Sequence, residues 1–87
     1  MTLYARAVDV IFSEIEGEFV ALNINKGQCY GMDSIASKIW TMIEKPRSLE
    51  DICAELEILY DVDPDTCRAD VESLLTSLSK ERLVDVR

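Results

Sequence analysis

The spacing of apolar residues changes once along this chain, at Asp33, and that change constrains the fold more than any other feature. Before it, apolar and β-branched residues recur at every second position, the period of a strand. Residues 8–15 carry Val8, Val10 and Phe12 on one face, and Glu16-Gly17 supplies a turn. Residues 18–24 alternate, which predicts Val20, Leu22 and Ile24 inward and Asn23 outward. Asn25-Lys26-Gly27 reads as a hairpin loop ending in a glycine that tolerates positive φ. A third strand follows over 28–32, with Tyr30 and Met32 on one face and Cys29 and Gly31 on the other.

After Asp33 the period becomes helical. Asp33 or Ser34 caps a helix over about 34–45 whose stripe is Ile35, Ile39, Trp40 and Ile43, and Lys45-Pro46 stops it. A second helix, about 49–60, starts from Ser48 with Asp51 in the capping-box position; its stripe is Leu49, Ile52, Cys53, Leu56 and Leu59. Asp63-Pro64 opens a third, about 64–81, because aspartate caps and proline suits the first helical position. It carries Cys67, Val71, Leu74, Leu75 and Leu78, and residues 83–86 can add a short terminal strand. Strands followed by helices imply one α+β domain over 1–87. The expected architecture is a three-stranded antiparallel sheet packed on a three-helix bundle, resembling a winged helix-turn-helix.

Charge narrows the function. Seventeen acidic residues against nine basic ones give a net charge of −8. The cations are scattered, so neither nucleic acid nor an anionic membrane is an expected partner. No segment approaches the ~20 apolar residues of a membrane span, and the N-terminal residues lack a signal-peptide core, so the expected location is the cytoplasm. Cys29, Cys53 and Cys67, odd in number and widely spaced, do not form a disulfide framework or a zinc set.

The sequence offers little to carry a reaction. It contains no histidine, the commonest general base and metal ligand. Asp61, Asp63 and Asp65 have calcium-loop spacing, but Thr66 stands where that loop needs glycine and Pro64 starts a helix inside it. Capping accounts for these acids better. Cys53, Cys67 and Trp40 fall on apolar stripes, as core residues do. No cofactor and no catalytic residue is expected. What remains is a surface: the strand over 28–32 lacks the lysine or proline that usually blunts a sheet edge, and Gly31 lets another backbone come close.

Several runs together resemble the PqqD family: VALNINKGQCYGMD (20–33), IASKIWTMI (35–43), SLEDI (48–52), YDVDP (60–64), DVESLLTSL (70–78) and RLVDV (82–86). Within that family the chain looks most like the discrete recognition proteins of lasso-peptide biosynthesis. Met32-Asp33 departs from the family's usual Leu-Asn, and Glu81-Arg82 from a common glycine.

The resemblance implies binding of the leader of a ribosomally made precursor, added as an antiparallel strand to Gln28, Cys29, Tyr30, Gly31 and Met32. Leader side chains would rest in a groove beside the third helix, at Cys67, Asp70, Val71, Leu74, Leu75 and Leu78. Arg68 and Asp70 flank that stripe about 160° apart, and the sequence leaves open which flank faces the peptide. It also implies, as partners, a separate leader peptidase and an ATP-dependent macrocyclase. Two alternatives stay open: a PqqD-type peptide chaperone for quinone-cofactor synthesis, and a winged-helix DNA-binding regulator, which the charge disfavours.

Overall fold

In the computed structural model, which describes residues 1–87, the chain begins with a strand that alternation did not announce, β1 (Leu3–Arg6). β2 (Val10–Ile15), β3 (Glu18–Asn23) and β4 (Gln28–Gly31) then form an antiparallel meander in spatial order β2-β3-β4. The helices are α1 (Ser34–Met42), α2 (Leu49–Leu59) and α3 (Pro64–Lys80). Two further short strands, β5 (Arg47–Ser48) and β6 (Val84–Val86), pair with β1 to make a second antiparallel sheet, in order β5-β1-β6. The fold is thus α+β with three helices and two three-stranded sheets, one more sheet than the period indicated. β1 and β5 are too short to show a period, and their partners lie far off in sequence.

The turns and caps follow local chemistry. Glu16 and Gly17 both take positive φ (53° and 86°), as a type I′ hairpin turn requires. Asp33, Ser48 and Asp63 each accept a backbone N–H from three residues on, at 2.8, 3.1 and 3.0 Å, capping the three helices. Asp63 also accepts from the Thr66 hydroxyl at 3.2 Å, so this carboxylate is committed to a cap. No group of three or more His, Cys, Asp or Glu comes together as a metal site would need. α1 ends at Met42, earlier than expected, with Ile43 as its C-cap. No helix is long and apolar enough to cross a membrane.

The predicted facing of β3 is reversed. Ala21 and Asn23 point into the core, at 0% and 3% exposure, while Ile24 is 56% exposed. Register places Phe12, Ala21 and Tyr30 side by side on the helix-facing surface. Small Ala21 leaves room there for large neighbours: Phe12 meets Trp40 edge-on at 5.5 Å and Phe19 at 5.7 Å. Asn23 is tolerated inside because its amide donates to the Glu81 carbonyl at 3.0 Å and accepts from the Lys26 N–H at 3.1 Å. This one side chain ties the β3–β4 loop to the end of α3.

Trp40, Ile39, Ile43, Ile52, Leu75 and Leu83 are fully buried at the centre. Arg6 closes the sheet side: its guanidinium lies over Phe12 and Trp40 at 4.6 and 5.1 Å, and its Nε donates to the Trp40 carbonyl at 2.9 Å. Three expected inward residues lie outside this core. Val8 precedes β2 and is 86% exposed, and Ile35 and Leu59 are exposed at helix ends.

Candidate functional site

β4 pairs only with β3, so its other side is an open edge. The phase of the ladder shows what that edge offers. The Met32 N–H donates to the Phe19 carbonyl at 2.8 Å, and in an antiparallel pair bonded and non-bonded partners alternate. Tyr30, opposite Ala21, therefore spends its backbone groups on β3, whereas Cys29 and Gly31 direct an N–H and a C=O outward. Gly31 has no atom within 4 Å of where a Cβ would sit, so the approach to it is clear.

Beside this edge runs a furrow of about 370 Å³ between β4 and the C-terminal half of α3. Tyr30, Gly31 and Met32 form one wall, and Leu74, Leu78 and Glu81 the other. Small residues, Ala36 and Ser77, keep it open. At one end Lys26 pairs with Glu81 at 3.2 Å, and the Tyr30 hydroxyl lies beside the same carboxylate. Hydrogen bonding toward Glu81 holds the Tyr30 pKa above that of an ordinary phenol; the bonds from Tyr30 and Lys26 hold Glu81 below the usual carboxylate range.

The structure sorts the residues expected at the site. Gln28, Cys29 and Gly31 are exposed, Tyr30 and Leu74 are half-buried, and Met32 and Leu78 are buried but line the furrow. Leu75 is fully buried, and Cys67 and Val71 are nearly so, because they pack between the helices. Arg68 and Asp70 separate as the helical wheel requires. Arg68 turns toward α2, 3.5 Å from Glu50, while Asp70 lies one turn before Leu74 on the furrow's side. Asp33, Ala36, Ser77, Lys80 and Glu81 also line the furrow and were not anticipated. Ser77 and Glu81 follow Leu74 at helical spacing, a signal that a search for apolar residues passes over.

The other face of the meander is uncovered. Ile11, Ile15, Val20, Leu22 and Cys29 share it by register. Ile11 and Ile15 are 57% and 60% exposed there, and Glu16 and Glu18 stand at its turn end. Cys29 is exposed, whereas Cys53 and Cys67 are buried. Burial, with the neighbouring Cys67 thiol, pushes the Cys53 thiol up to about 11.

Comparison with known structures gives two close folds. "TbiB1 in Complex with the TbiA(beta) Leader Peptide" is 27% identical, with a TM-score of 0.87 over 93% of this chain and 94% of that one. "Lasso peptide synthetase B1 complexed with the leader peptide" is 18% identical, with a TM-score of 0.84 over 94% and 96% of the two chains. Comparison with curated proteins finds no match. Residues 18–84 match the family described as Coenzyme PQQ synthesis protein D (PqqD). This chain belongs to the PqqD family.

Proposed function

We propose that this chain is a non-catalytic cytoplasmic protein of lasso-peptide biosynthesis that binds the leader of a ribosomally synthesised precursor. The leader adds as an antiparallel strand to β4, and alternate side chains enter the furrow beside α3. The observation that carries this reading is the joining of an unprotected strand edge to an apolar furrow along one line. Strand addition needs both, because main-chain bonds supply affinity and the groove supplies selection. The resemblance to TbiB1, a protein solved with a leader peptide, supports it.

Bound there, the leader is presented to a separate leader peptidase, and an ATP-dependent macrocyclase then acts on the core peptide. The peptidase docks on the uncovered sheet face, which shares β4 with the leader, so an enzyme seated there meets the peptide beside its own site. Glu16, Glu18 and the net charge of −8 suit a partner whose apolar patch has a basic rim, and oppose pairing with a second copy.

Calorimetry with the leader encoded beside this chain's gene tests the reading. Micromolar or tighter binding supports it. No heat and no competition at high micromolar concentration would sink it. A radical enzyme in the gene neighbourhood, in place of a peptidase and an asparagine-synthetase-like ligase, would move the chain to quinone-cofactor synthesis.

A further inference from the structure

An open strand edge does not by itself decide which way a peptide runs along it. Cys29 and Gly31 direct their N–H and C=O groups outward, and these serve a parallel strand almost as well as an antiparallel one. Something beside the edge must therefore fix direction, and the charges of the furrow are placed to do so.

The two ends of the furrow differ in sign. Lys26–Glu81 and Asn23 fasten the β3–β4 loop to the C-terminal end of α3, so β4 starts there and Asp33 lies past its far end. Asp33 is the charged residue of the furrow at that far end. The adjoining recess, which shares Gly31, Met32 and Asp33, adds Glu16 and Glu18 and no cation. At the Gln28 end stands Lys80, the one cation that lines the furrow. Its ammonium forms no salt bridge, whereas Glu81 beside it is already engaged by Lys26 at 3.2 Å and by the Tyr30 hydroxyl. Lys26 and Lys80 against Glu81 leave this end locally positive, on a chain whose net charge is −8.

A strand antiparallel to β4 enters at the Gly31 end and leaves at the Gln28 end. Its N-terminal part then lies in the acidic field, and its C-terminal part passes Lys80. We propose that Lys80, supported by Lys26, reads an acidic side chain that the leader carries just C-terminal to the added strand, and that this contact fixes the leader's direction. The proposal rests on the leader-binding reading and adds a chemical class to it, a leader that is acidic past its paired segment. The contact sits at the rim of the furrow, within reach of water. It contributes selection more than affinity, and it weakens as salt rises.

Fluorescence polarisation tests it with the neighbouring gene's leader, labelled at its N-terminus, at low and high salt. The protein is used as wild type, Lys80→Gln, Lys80→Glu and Lys45→Glu; Lys45 is an exposed, unpaired cation outside the furrow, so its reversal controls for net charge. Each acidic residue of the leader is changed in turn to its amide and to lysine. Lys80→Gln is expected to bind the unchanged leader about fivefold more weakly at low salt, and within about twofold of wild type at high salt. Lys80→Glu should lose about tenfold at low salt, since attraction becomes repulsion, and Lys45→Glu less than about twofold. One acidic leader residue should account for the loss. Its amide variant should bind wild type as weakly as the unchanged leader binds Lys80→Gln, and its lysine variant should prefer Lys80→Glu to wild type. A spin label beside that residue should broaden the amide NMR signals of Lys26 and Gln28 and spare those of Met32 and Asp33. Melting by circular dichroism checks that the variants fold.

Wild-type affinity in both Lys80 variants would overturn the reader and leave strand addition standing. An equal loss for Lys45→Glu and Lys80→Glu would overturn it too, by assigning the effect to net charge. So would a loss that no single acidic residue of the leader explains, or broadening at Met32 and Asp33 instead. If wild type binds no leader at all, the reader falls together with the reading beneath it.

Discussion

Proline placed at successive positions of β4 separates a loss of binding from a loss of fold. Gly31 directs its N–H off the sheet, so Gly31→Pro removes no ladder bond, and open space surrounds the site of its new Cβ. Tyr30, already extended in the strand, suits a following proline. Gly31→Pro should therefore melt close to wild type, with a small gain available from a stiffer unfolded chain. A bound leader, however, loses the donor for one of its carbonyls. That costs about 1–2 kcal/mol, between a net hydrogen bond and an unpaired acceptor, or roughly five- to thirtyfold in Kd. Cys29→Pro should behave in the same way. Tyr30→Pro removes an inward N–H and a half-buried ring, at about 2–4 kcal/mol of stability, or roughly 8–30 °C of Tm in a domain this small. Calorimetric titration with leader and thermal melting by circular dichroism read the two quantities on one set of variants. Losses of binding that track losses of Tm, with no alternation between 29, 30 and 31, would refute the edge-pairing argument.

Three further outcomes are expected. Ile11→Lys with Ile15→Lys, both on the uncovered face, should leave leader binding within about twofold of wild type but slow leader cleavage by the partner peptidase tenfold or more; unchanged cleavage would free that face of a docking role. Iodoacetamide at neutral pH should modify Cys29 and spare Cys53 and Cys67 under native conditions, as mass spectrometry of digested protein would show; fast labelling of all three would contradict the packing of α2 on α3. Glu81 is held below its ordinary pKa of 4.5, so its contribution to stability is present above that value and disappears as pH falls through the lower folded value. Tyr30 is held above 10.0, so its contribution is present below pH 10 and disappears as pH rises through the higher folded value. An NMR titration that finds both groups at their ordinary values would remove the latch at the end of the furrow.

The sequence made the elements legible where chemistry is local. Asp33, Ser48, Asp63-Pro64 and Glu16-Gly17 marked starts and turns because a cap or a positive φ is decided within a few residues. Facing was less legible. The meander carries apolar residues on both sides, so alternation cannot tell the core side from an uncovered apolar side, and Asn23 reads as a surface residue until its distant partner Glu81 is known. The second sheet depends on pairings such as Leu3 with Ser48 and Tyr4 with Val86, which leave no periodic trace. At the candidate site, the edge over 28–32 was visible as the absence of blunting residues. Of the expected groove positions, Cys67, Val71 and Leu75 are buried, since an apolar stripe shows only that a helix has an inner side. Helical spacing alone leaves the two flanks equivalent; Arg68 turns toward Glu50 on α2, a partner that the spacing within α3 does not reveal.

The sheet that escaped the sequence has an architectural consequence. Leu3 and Arg87 exchange both backbone hydrogen bonds at 2.7 Å, so the first and last strands bring the two ends of the fold to one point. Neither strand lines the furrow. A fold closed in this way can be spliced as a cassette into a loop of another polypeptide, or joined to it by either end, with the same exit point and little disturbance of the peptide track. Such a graft would turn presentation to an enzyme from a bimolecular encounter into a tethered one, with an effective concentration set by the length and stiffness of the linker.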